Sequence, residues 1–208
     1  MYLPPLFEEK DQGKLHATIR ESGLATLVTV TAAGPYASHV PMLLDPAKGP
    51  HGTLRGHIAL ANPQSKTMVA GAGALAIFLG PDAYISPSYY ATKKQHGKVV
   101  PTWNYLAIHA AGPIRFFDDA ESLLAIVTAL TQKFEGQRAA PWAVSDAPAD
   151  YVQTMLKAIV GFEIEIATLE GKWKMSQNQP AENKPGVVEG LRRDGLAEVA
   201  DIVAERTR

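Results

Sequence analysis

Short segments that alternate between apolar and polar residues, separated by glycine and proline, limit the fold of this sequence most strongly. Residues 24–31 (LATLVTVT) and 162–169 (FEIEIATL) alternate in this way and are rich in β-branched residues. The pattern is typical of strands with one buried face. A turn at 32–35 joins the first segment to a partner strand at 36–44, which predicts a hairpin. We therefore expect antiparallel pairing to dominate the fold.

The remaining segments predict further strands and several helices. Strands are expected at 53–60, 74–79 and 99–111, and helices at 11–21, 118–135, 150–159 and within 186–208. This order predicts a β-dominated α+β fold, and a small closed or split barrel fits it better than a parallel α/β sheet. No internal repeat is present, so we expect one domain spanning 1–208, with helical insertions and a C-terminal helical tail.

The composition excludes several kinds of site. The 208 residues carry a net charge of −1 and include no cysteine. Disulfides, thiolate nucleophiles, cysteine-based zinc sites and iron–sulfur clusters are therefore excluded. The start of the chain lacks the basic region and long apolar core of a signal peptide, and no apolar run is long enough to span a bilayer. We expect a cytoplasmic protein with no membrane partner.

Most catalytic and nucleotide-binding motifs are absent. The sequence has no GxGxxG or P-loop pattern and no GxSxG nucleophile elbow. His39 and His57 lie in predicted strands without the HxH or HExxH spacing of metal ligands. Hydrogen bonding at a pocket wall is the better interpretation of both, and no metal site is predicted. No acid–base pair stands out, so the sequence identifies no catalytic residues and does not decide whether the protein is an enzyme.

Residues 80–105 concentrate aromatic, proline and hydrogen-bonding side chains. Aromatic rings beside amide, hydroxyl and ammonium groups suit a flat, polar-edged, anionic ligand. Trp103 and Asn104 fall on opposite faces of a predicted strand, so one faces the core and the other can line a pocket. Without a glycine-rich loop, a phosphate would be held by basic side chains. The candidates are Arg55, Lys66, Lys93, Lys94, Lys98, Lys172 and Lys174.

Several motifs occur together in an order that resembles one known family. They are Met1-Tyr2 to Phe7, His39-Val40-Pro41, Gly56-His57-Ile58-Ala59, Ala61-Asn62-Pro63-Gln64, Gly80-Pro81 to Tyr90, Val99 to Tyr105, Gly161-Phe162-Glu163, and Glu170 to Lys174 with Ser176-Gln177-Asn178. Together they resemble the PaiB-type family of FMN-binding split-barrel proteins, which are often called negative transcriptional regulators. The resemblance covers nearly the whole chain.

The resemblance implies a Greek-key split β-barrel and a homodimer that holds FMN between its subunits. It also implies a set of cofactor-binding residues. The backbone of His39, Val40, Pro41 and Met42 would reach the polar edge of the flavin ring. The ribityl phosphate would face Arg55, Gly56, His57, Ile58, Ala59, Asn62 and Lys66. Trp103 and Asn104 would cover the ring or line the adjacent pocket, and Lys172 and Lys174 would arrive from the same or the partner subunit.

The resemblance implies a transcriptional regulator with flavin-dependent redox capacity, and two alternatives stay open. One is a flavin-dependent oxidoreductase with no direct DNA binding. The other is a heme-handling protein, for which the candidate ligands are His39, His57, His96 and His109. The sequence offers little for direct DNA contact, because the net charge is near zero and Arg192-Arg193 lies among acidic residues.

Overall fold

The structure is a computed structural model that describes residues 1–207. In chain order, the strands are β1 (Glu8–Glu9), β2 (Ala25–Thr31), β3 (Gly34–Val40), β4 (Leu43–Asp45), β5 (Thr53–Ala59), β6 (Ala74–Ile85), β7 (Thr102–Gly112), β8 (Ile114–Phe117), β9 (Ile159–Glu165) and β10 (Thr168–Lys174). The helices are α1 (Gln12–Glu21), α2 (Gln64–Thr67), α3 (Thr92–His96), α4 (Ala120–Glu135), α5 (Ala149–Leu156), α6 (Lys184–Arg193) and α7 (Ala197–Arg206).

The chain divides into two compact units that are interleaved in sequence. The first unit contains Met1–Leu15, Leu79–Ile108 and the segment from Glu170 onward. The second unit contains His16–Phe78 and His109–Leu169. The expectation of one domain spanning 1–208 stays a prediction.

The second unit contains a four-stranded sheet in the order β4-β5-β9-β8, in which all pairs are antiparallel. Alternation along β5 and β9 places Leu54, Phe162 and Ile164 on one face, where all three are fully buried. Arg55 and His57 therefore lie on the opposite face. Helix α4 packs against this sheet, so the sheet has a dry core face and a polar face next to a helix.

The second unit also contains the hairpin of β2 and β3, with register from Ala25↔Val40 to Thr31↔Gly34, and the other edge of β2 pairs antiparallel with the start of β6. Gly34 has a φ of 119°, a conformation that favours glycine in the turn. The predicted partner strand at 36–44 divides, because β3 ends at Val40 and β4 begins at Leu43 in the four-stranded sheet. Pro41 explains the break, since it has no N–H to continue the ladder.

The predicted last strand at 162–169 also divides. Strand β9 ends at Glu165 and β10 begins at Thr168. Between them, the N–H of Ile166 donates to the Gly52 carbonyl at 3.0 Å and the N–H of Ala167 donates to the Ala111 carbonyl at 2.9 Å. These bonds to other segments turn the chain out of one ladder before the next begins.

The first unit pairs β1 with β10 antiparallel and contains α3, α6 and α7. The predicted helical tail is two helices, and Gly195, with a φ of 81°, provides the turn between them. Val187 and Leu191 of α6 and Val203 of α7 are fully buried, so both helices pack through apolar faces.

Antiparallel sheets with helices around them confirm the mixed α+β class. Within residues 1–207, no helix is both long and apolar enough to cross a membrane.

Candidate functional site

An open cleft in the second unit collects six of the predicted cofactor-binding residues. Its volume is about 590 Å³, within the range of about 300–1,000 Å³ that is usual for small-molecule sites. The six are His39 and Val40 of β3, His57, Ile58 and Ala59 of β5, and Asn62 of the following turn. Ala37, Ser38 and Ile159 complete the lining. We call this site the His57 cleft.

The Asn62 side chain connects the two walls of the His57 cleft. Its Oδ1 accepts a hydrogen bond from the Gln64 N–H at 3.0 Å, which closes the turn after β5. Its Nδ2 donates to the Ser38 hydroxyl of β3 at 2.9 Å. Asn62 thus fixes the spacing between the turn and the strand edge opposite it.

Gln64 anchors the same turn to the hairpin and was not among the predicted site residues. Its side chain is fully buried, and Nε2 donates to Thr29 Oγ1 at 3.0 Å, the Leu27 carbonyl at 3.2 Å and the Tyr36 carbonyl at 3.4 Å. The signal available in the sequence was an amide directly after the Asn62-Pro63 turn, but the burial of that amide depends on distant strands.

His57 is the most unusual polar group of the cleft. Burial lowers the pKa of His57 below its ordinary value of 6.5, so the ring is neutral at pH 7. Its Nδ1 is buried and has no hydrogen-bond partner among residues 1–207. A neutral imidazole carries one donor and one acceptor nitrogen, so His57 can bond a polar ligand edge.

His39 lies on the exposed edge strand and is held by its neighbour. Its Nδ1 lies 3.0 Å from Thr26 Oγ1, directly across the hairpin. This contact orients the ring and leaves Nε2 for solvent or ligand.

Three further predicted residues have structural roles in the second unit. Met42 is buried, at 2% exposure, and Pro41 ends the β3 ladder. At Gly56, an added Cβ would lie 2.6 Å from the Phe162 ring and 3.0 Å from the Pro41 carbonyl. Gly56 is therefore needed for close packing inside the second unit.

Two basic candidates of the second unit lie outside the lining of the His57 cleft. Arg55 lines a separate cavity and its Nε donates to Glu163 Oε2 at 3.0 Å. Lys66 is exposed in the last turn of α2, two residues after Gln64. Lys66 is thus the basic side chain on the turn that borders the cleft.

Trp103 and Asn104 lie in the first unit, on opposite sides of β7. Trp103 is 54% exposed and meets Tyr84 edge to face, with ring centroids 5.9 Å apart. Asn104 is fully buried, and its Nδ2 donates to Ser176 Oγ at 2.9 Å. The amide of Asn104 is therefore committed to a structural bond.

Lys172 and Lys174 are also held by local contacts of the first unit. Lys172 Nζ donates to the Tyr2 carbonyl at 3.1 Å and lies over the Tyr105 ring. Lys174 Nζ donates to Thr102 Oγ1 at 2.6 Å and to the Trp103 carbonyl at 2.7 Å. Burial lowers the pKa of Lys174. Both ammonium groups support the local structure, and their predicted roles toward a cofactor stay predictions.

The residues of the His57 cleft fit a flavin. Ala37, Ala59 and Ile159 offer apolar contact, and the neutral His57 ring offers a hydrogen bond. The cleft lining itself contains no lysine or arginine, so Lys66 would supply the charge that a phosphate needs.

The antiparallel sheets and this cleft are compatible with a flavin-binding protein of the split-barrel class. The model of the family described as "Putative FMN-binding domain" matches residues 1–168. The chain therefore belongs to this FMN-binding family, and FMN is its cofactor.

Similar proteins agree with this membership. The chain is 32% identical over 194 residues to the protease synthase and sporulation protein PAI 2 of Bacillus subtilis, covering 93% of this chain and 90% of that protein. It is 35% identical over 244 residues to the protein named "Uncharacterized protein AN0679" of Emericella nidulans, covering 99% and 97%. The structure of the FAD and heme binding protein from Mycobacterium smegmatis has a TM-score of 0.57 at 15% identity, covering 80% of this chain and 73% of that one, a likeness of fold alone. The PaiB-type resemblance and the split-barrel fold are thereby confirmed.

Proposed function

We propose that this chain is an FMN-dependent redox protein that holds the flavin in the His57 cleft. The observation that carries the proposal is the buried, unpartnered Nδ1 of His57 in the wall of a cleft of suitable size. An unsatisfied buried polar group costs about 1–3 kcal/mol. A flavin has an apolar ring with hydrogen-bonding groups along one edge, so its binding would satisfy this nitrogen if the imidazole rotates to turn Nδ1 toward the cleft.

The residues of the cleft would bind and orient the cofactor. FMN supplies hydride and electron transfer when bound, while the protein supplies position and electrostatics. His57 stays neutral and can hold a proton on one ring nitrogen while it accepts at the other. Asn62 keeps the two walls at a fixed spacing through Ser38. Lys66 offers an ammonium group to the phosphate.

Titration with FMN tests the proposal. We expect a shift in the flavin absorption spectrum and a rise in melting temperature, because a ligand of the folded state stabilises it. His57→Ala should weaken FMN binding roughly tenfold. His96→Ala, which removes an exposed imidazole from α3 of the first unit, is the matched control and should bind FMN normally. A wild-type protein that gives neither a shift nor stabilisation would contradict the proposal.

We also propose that the protein works as a homodimer in which the first unit contributes to the subunit contact. The large apolar side chains that the first unit exposes include Leu79, Tyr84, Val100 and Trp103. Exposed aromatic groups of this kind favour an interface over solvent. Light scattering should give a dimer mass for wild type and a lower mass for Trp103→Ser at the same concentration. A monomeric wild-type protein at micromolar concentration would refute the dimer.

Regulation through nucleic acid is a second candidate function, which one feature favours. Between Asp82 and Asp118 the chain contains no Asp or Glu, and Lys93, Lys94 and Lys98 are exposed in and after α3. Lysine contacts with phosphates would make binding strongly salt-dependent. A mobility-shift assay at low salt should show retardation of a promoter fragment that a double Lys93→Gln, Lys94→Gln variant loses. Retardation no greater than that of random DNA would exclude direct operator binding.

Heme handling stays an alternative, with His39, His57, His96 and His109 as the candidate axial ligands. The described residues contain no group of three or more His, Cys, Asp or Glu that could hold a metal ion, whereas a heme needs one axial ligand. Hemin titration should show a Soret shift that is lost in a single His→Ala variant at position 39, 57, 96 or 109. A shift that survives all four changes would exclude these four histidines as heme ligands.

A further inference from the structure

A second cavity in the second unit lies over the polar face of the four-stranded sheet. Its volume is about 430 Å³. One wall consists of strand residues and the other of small and apolar residues from α4, including Ala125 and Ile126. It differs from the His57 cleft in every lining residue.

Four charged side chains meet in this cavity, and we call them the Glu163 cluster: Lys48, Arg55, Arg115 and Glu163. The strand register explains why they meet, because Arg55 of β5 and Arg115 of β8 both pair with Glu163 of the central strand β9. Residues that oppose each other across antiparallel strands point to the same face. Lys48 reaches the cluster from the loop before β5.

The cluster carries more positive than negative charge. Lys48 Nζ lies 2.6 Å from Glu163 Oε1, Arg55 Nε lies 3.0 Å from Oε2, and Arg115 Nη2 lies 3.9 Å from Oε1. Three cations therefore share one carboxylate, and two positive charges stay unmatched among the lining residues. Asp119 is occupied in capping α4, and its hydrogen bonds with Ser122 lower its pKa, with a smaller contribution from the charge of Arg115.

The donors of the cluster are only partly used. Arg55 bonds Glu163 through Nε, so its two terminal nitrogens have no acceptor among residues 1–207. Arg115 is too far from Glu163 for a hydrogen bond and lies over the Phe117 ring at 5.0 Å. Two guanidinium groups and an ammonium group with free N–H donors suit an oxyanion, because arginine binds phosphate and carboxylate oxygens in pairs.

The rest of the cavity is apolar. Leu43 lies directly beside Arg55 in the sheet register, and Phe117 and Ile126 line the same space. A free inorganic ion would leave this apolar part unfilled, whereas a molecule with a small apolar body would cover it and gain hydrophobic stabilisation.

We propose that the Glu163 cluster is a second binding site, which takes a small molecule bearing a phosphate or carboxylate group on an apolar body. The unmatched arginine donors hold the anionic group, and Leu43, Phe117 and Ile126 hold the body. Glu163 preorganises the cations and competes with the ligand for them.

Calorimetric titration at constant ionic strength tests the proposal, with inorganic phosphate, phenyl phosphate and benzoate as probes. We expect phenyl phosphate to bind several-fold more tightly than inorganic phosphate, because its ring adds apolar contact. Arg115→Gln should weaken phenyl phosphate binding roughly tenfold. The matched control is Arg138→Gln, since Arg138 is as exposed as Arg115 and also pairs with a glutamate. This control should bind normally.

Glu163→Gln separates a binding role from a structural one. Removing the competing carboxylate should tighten phenyl phosphate binding several-fold even if the variant is less stable. A purely structural ion-pair network predicts lost stability with no gain in affinity, and that result would overturn the proposal.

Three other outcomes would also overturn it. They are no binding of any probe to wild type, equal losses in Arg115→Gln and Arg138→Gln, and competition between phenyl phosphate and FMN. Binding of only the phosphate probes or only benzoate would support the site and identify its anion. FMN titration of the same samples measures flavin binding separately. Failure of this second site can therefore be told apart from failure of the proposed flavin function.

Discussion

Replacing Gln64 with methionine removes a buried amide but keeps a side chain of similar length. In the folded protein this amide holds the Asn62 turn to the β2–β3 hairpin, which forms the opposite wall of the His57 cleft. The change should therefore lower both the stability of the protein and its affinity for FMN.

The size of the stability loss follows from the hydrogen bonds. The amide nitrogen has two hydrogens but three acceptors at 3.0, 3.2 and 3.4 Å, so it makes the equivalent of two full bonds. Each contributes about 1 kcal/mol net, and we expect Gln64→Met to lower the free energy of unfolding by about 2 kcal/mol. The carbonyl Oε1 of Gln64 has no partner among residues 1–207, so its loss adds no penalty.

Urea denaturation measures the effect as a shift of the midpoint at constant slope. Gln153→Met is the matched control, because Gln153 is exposed on α5, and it should change stability by less than about 0.5 kcal/mol. FMN titration of both variants then shows whether the anchored turn matters for binding.

Gln64→Glu sharpens the test through pH. A buried carboxylate facing carbonyl oxygens would have a raised pKa, so the variant should be less stable at pH 8 than at pH 5, where the group is protonated. The reasoning is refuted if Gln64→Met unfolds like Gln153→Met, or if Gln64→Glu shows no pH dependence beyond that of wild type.

Three further predictions follow from packing and ionisation in the second unit. Gly56→Ala should cost about 1–3 kcal/mol of stability, because the new Cβ would overlap the Phe162 ring, whereas Gly23→Ala, with nothing within 4 Å, should be tolerated in the same urea assay. Burial lowers the pKa of His57 in the folded protein below 6.5, so the neutral ring contributes to folding stability above pH 6.5. This contribution is lost as the pH falls from 6.5 toward the pKa of the folded state. NMR titration should give a pKa below 6.5 for His57 in the folded protein. Burial alone would raise the pKa of Glu163, but hydrogen bonds and charge contacts with neighbouring cations lower it below 4.5. The ionised carboxylate therefore contributes to folding stability above pH 4.5, and this contribution is lost as the pH falls below 4.5. The stability difference between wild type and Glu163→Gln should shrink from pH 7 to pH 3, and a constant difference would contradict this.

Much of the local structure was predictable because it depends on neighbouring residues. The period of two placed Arg55 and His57 on one face of β5, and the strand alternation separated Trp103 from Asn104. The predicted strands at 36–44 and 162–169 each proved to be parts of two strands. In both cases the break depends on where the flanking residues find hydrogen-bond partners, which periodicity does not reveal.

The candidate site was predicted only in part, because its members come from segments that are far apart in the chain. His39, His57 and Asn62 meet in one cleft because β3 and the end of β5 approach each other, and the resemblance had grouped them. Arg55 had been grouped with them but lies in another cavity, bonded to Glu163, which is 108 positions away. No local pattern links two residues at that separation.

The sequence by itself determined the strand-forming segments, the absence of thiol chemistry and the family to which the chain belongs, because these depend on residue types and short spacings. Only the tertiary structure decided which polar groups are left without partners. His57 has an unbonded buried nitrogen, and Arg55 and Arg115 share one carboxylate, because strand pairing brings together residues that are far apart in the chain. Both candidate binding sites rest on these unmatched groups.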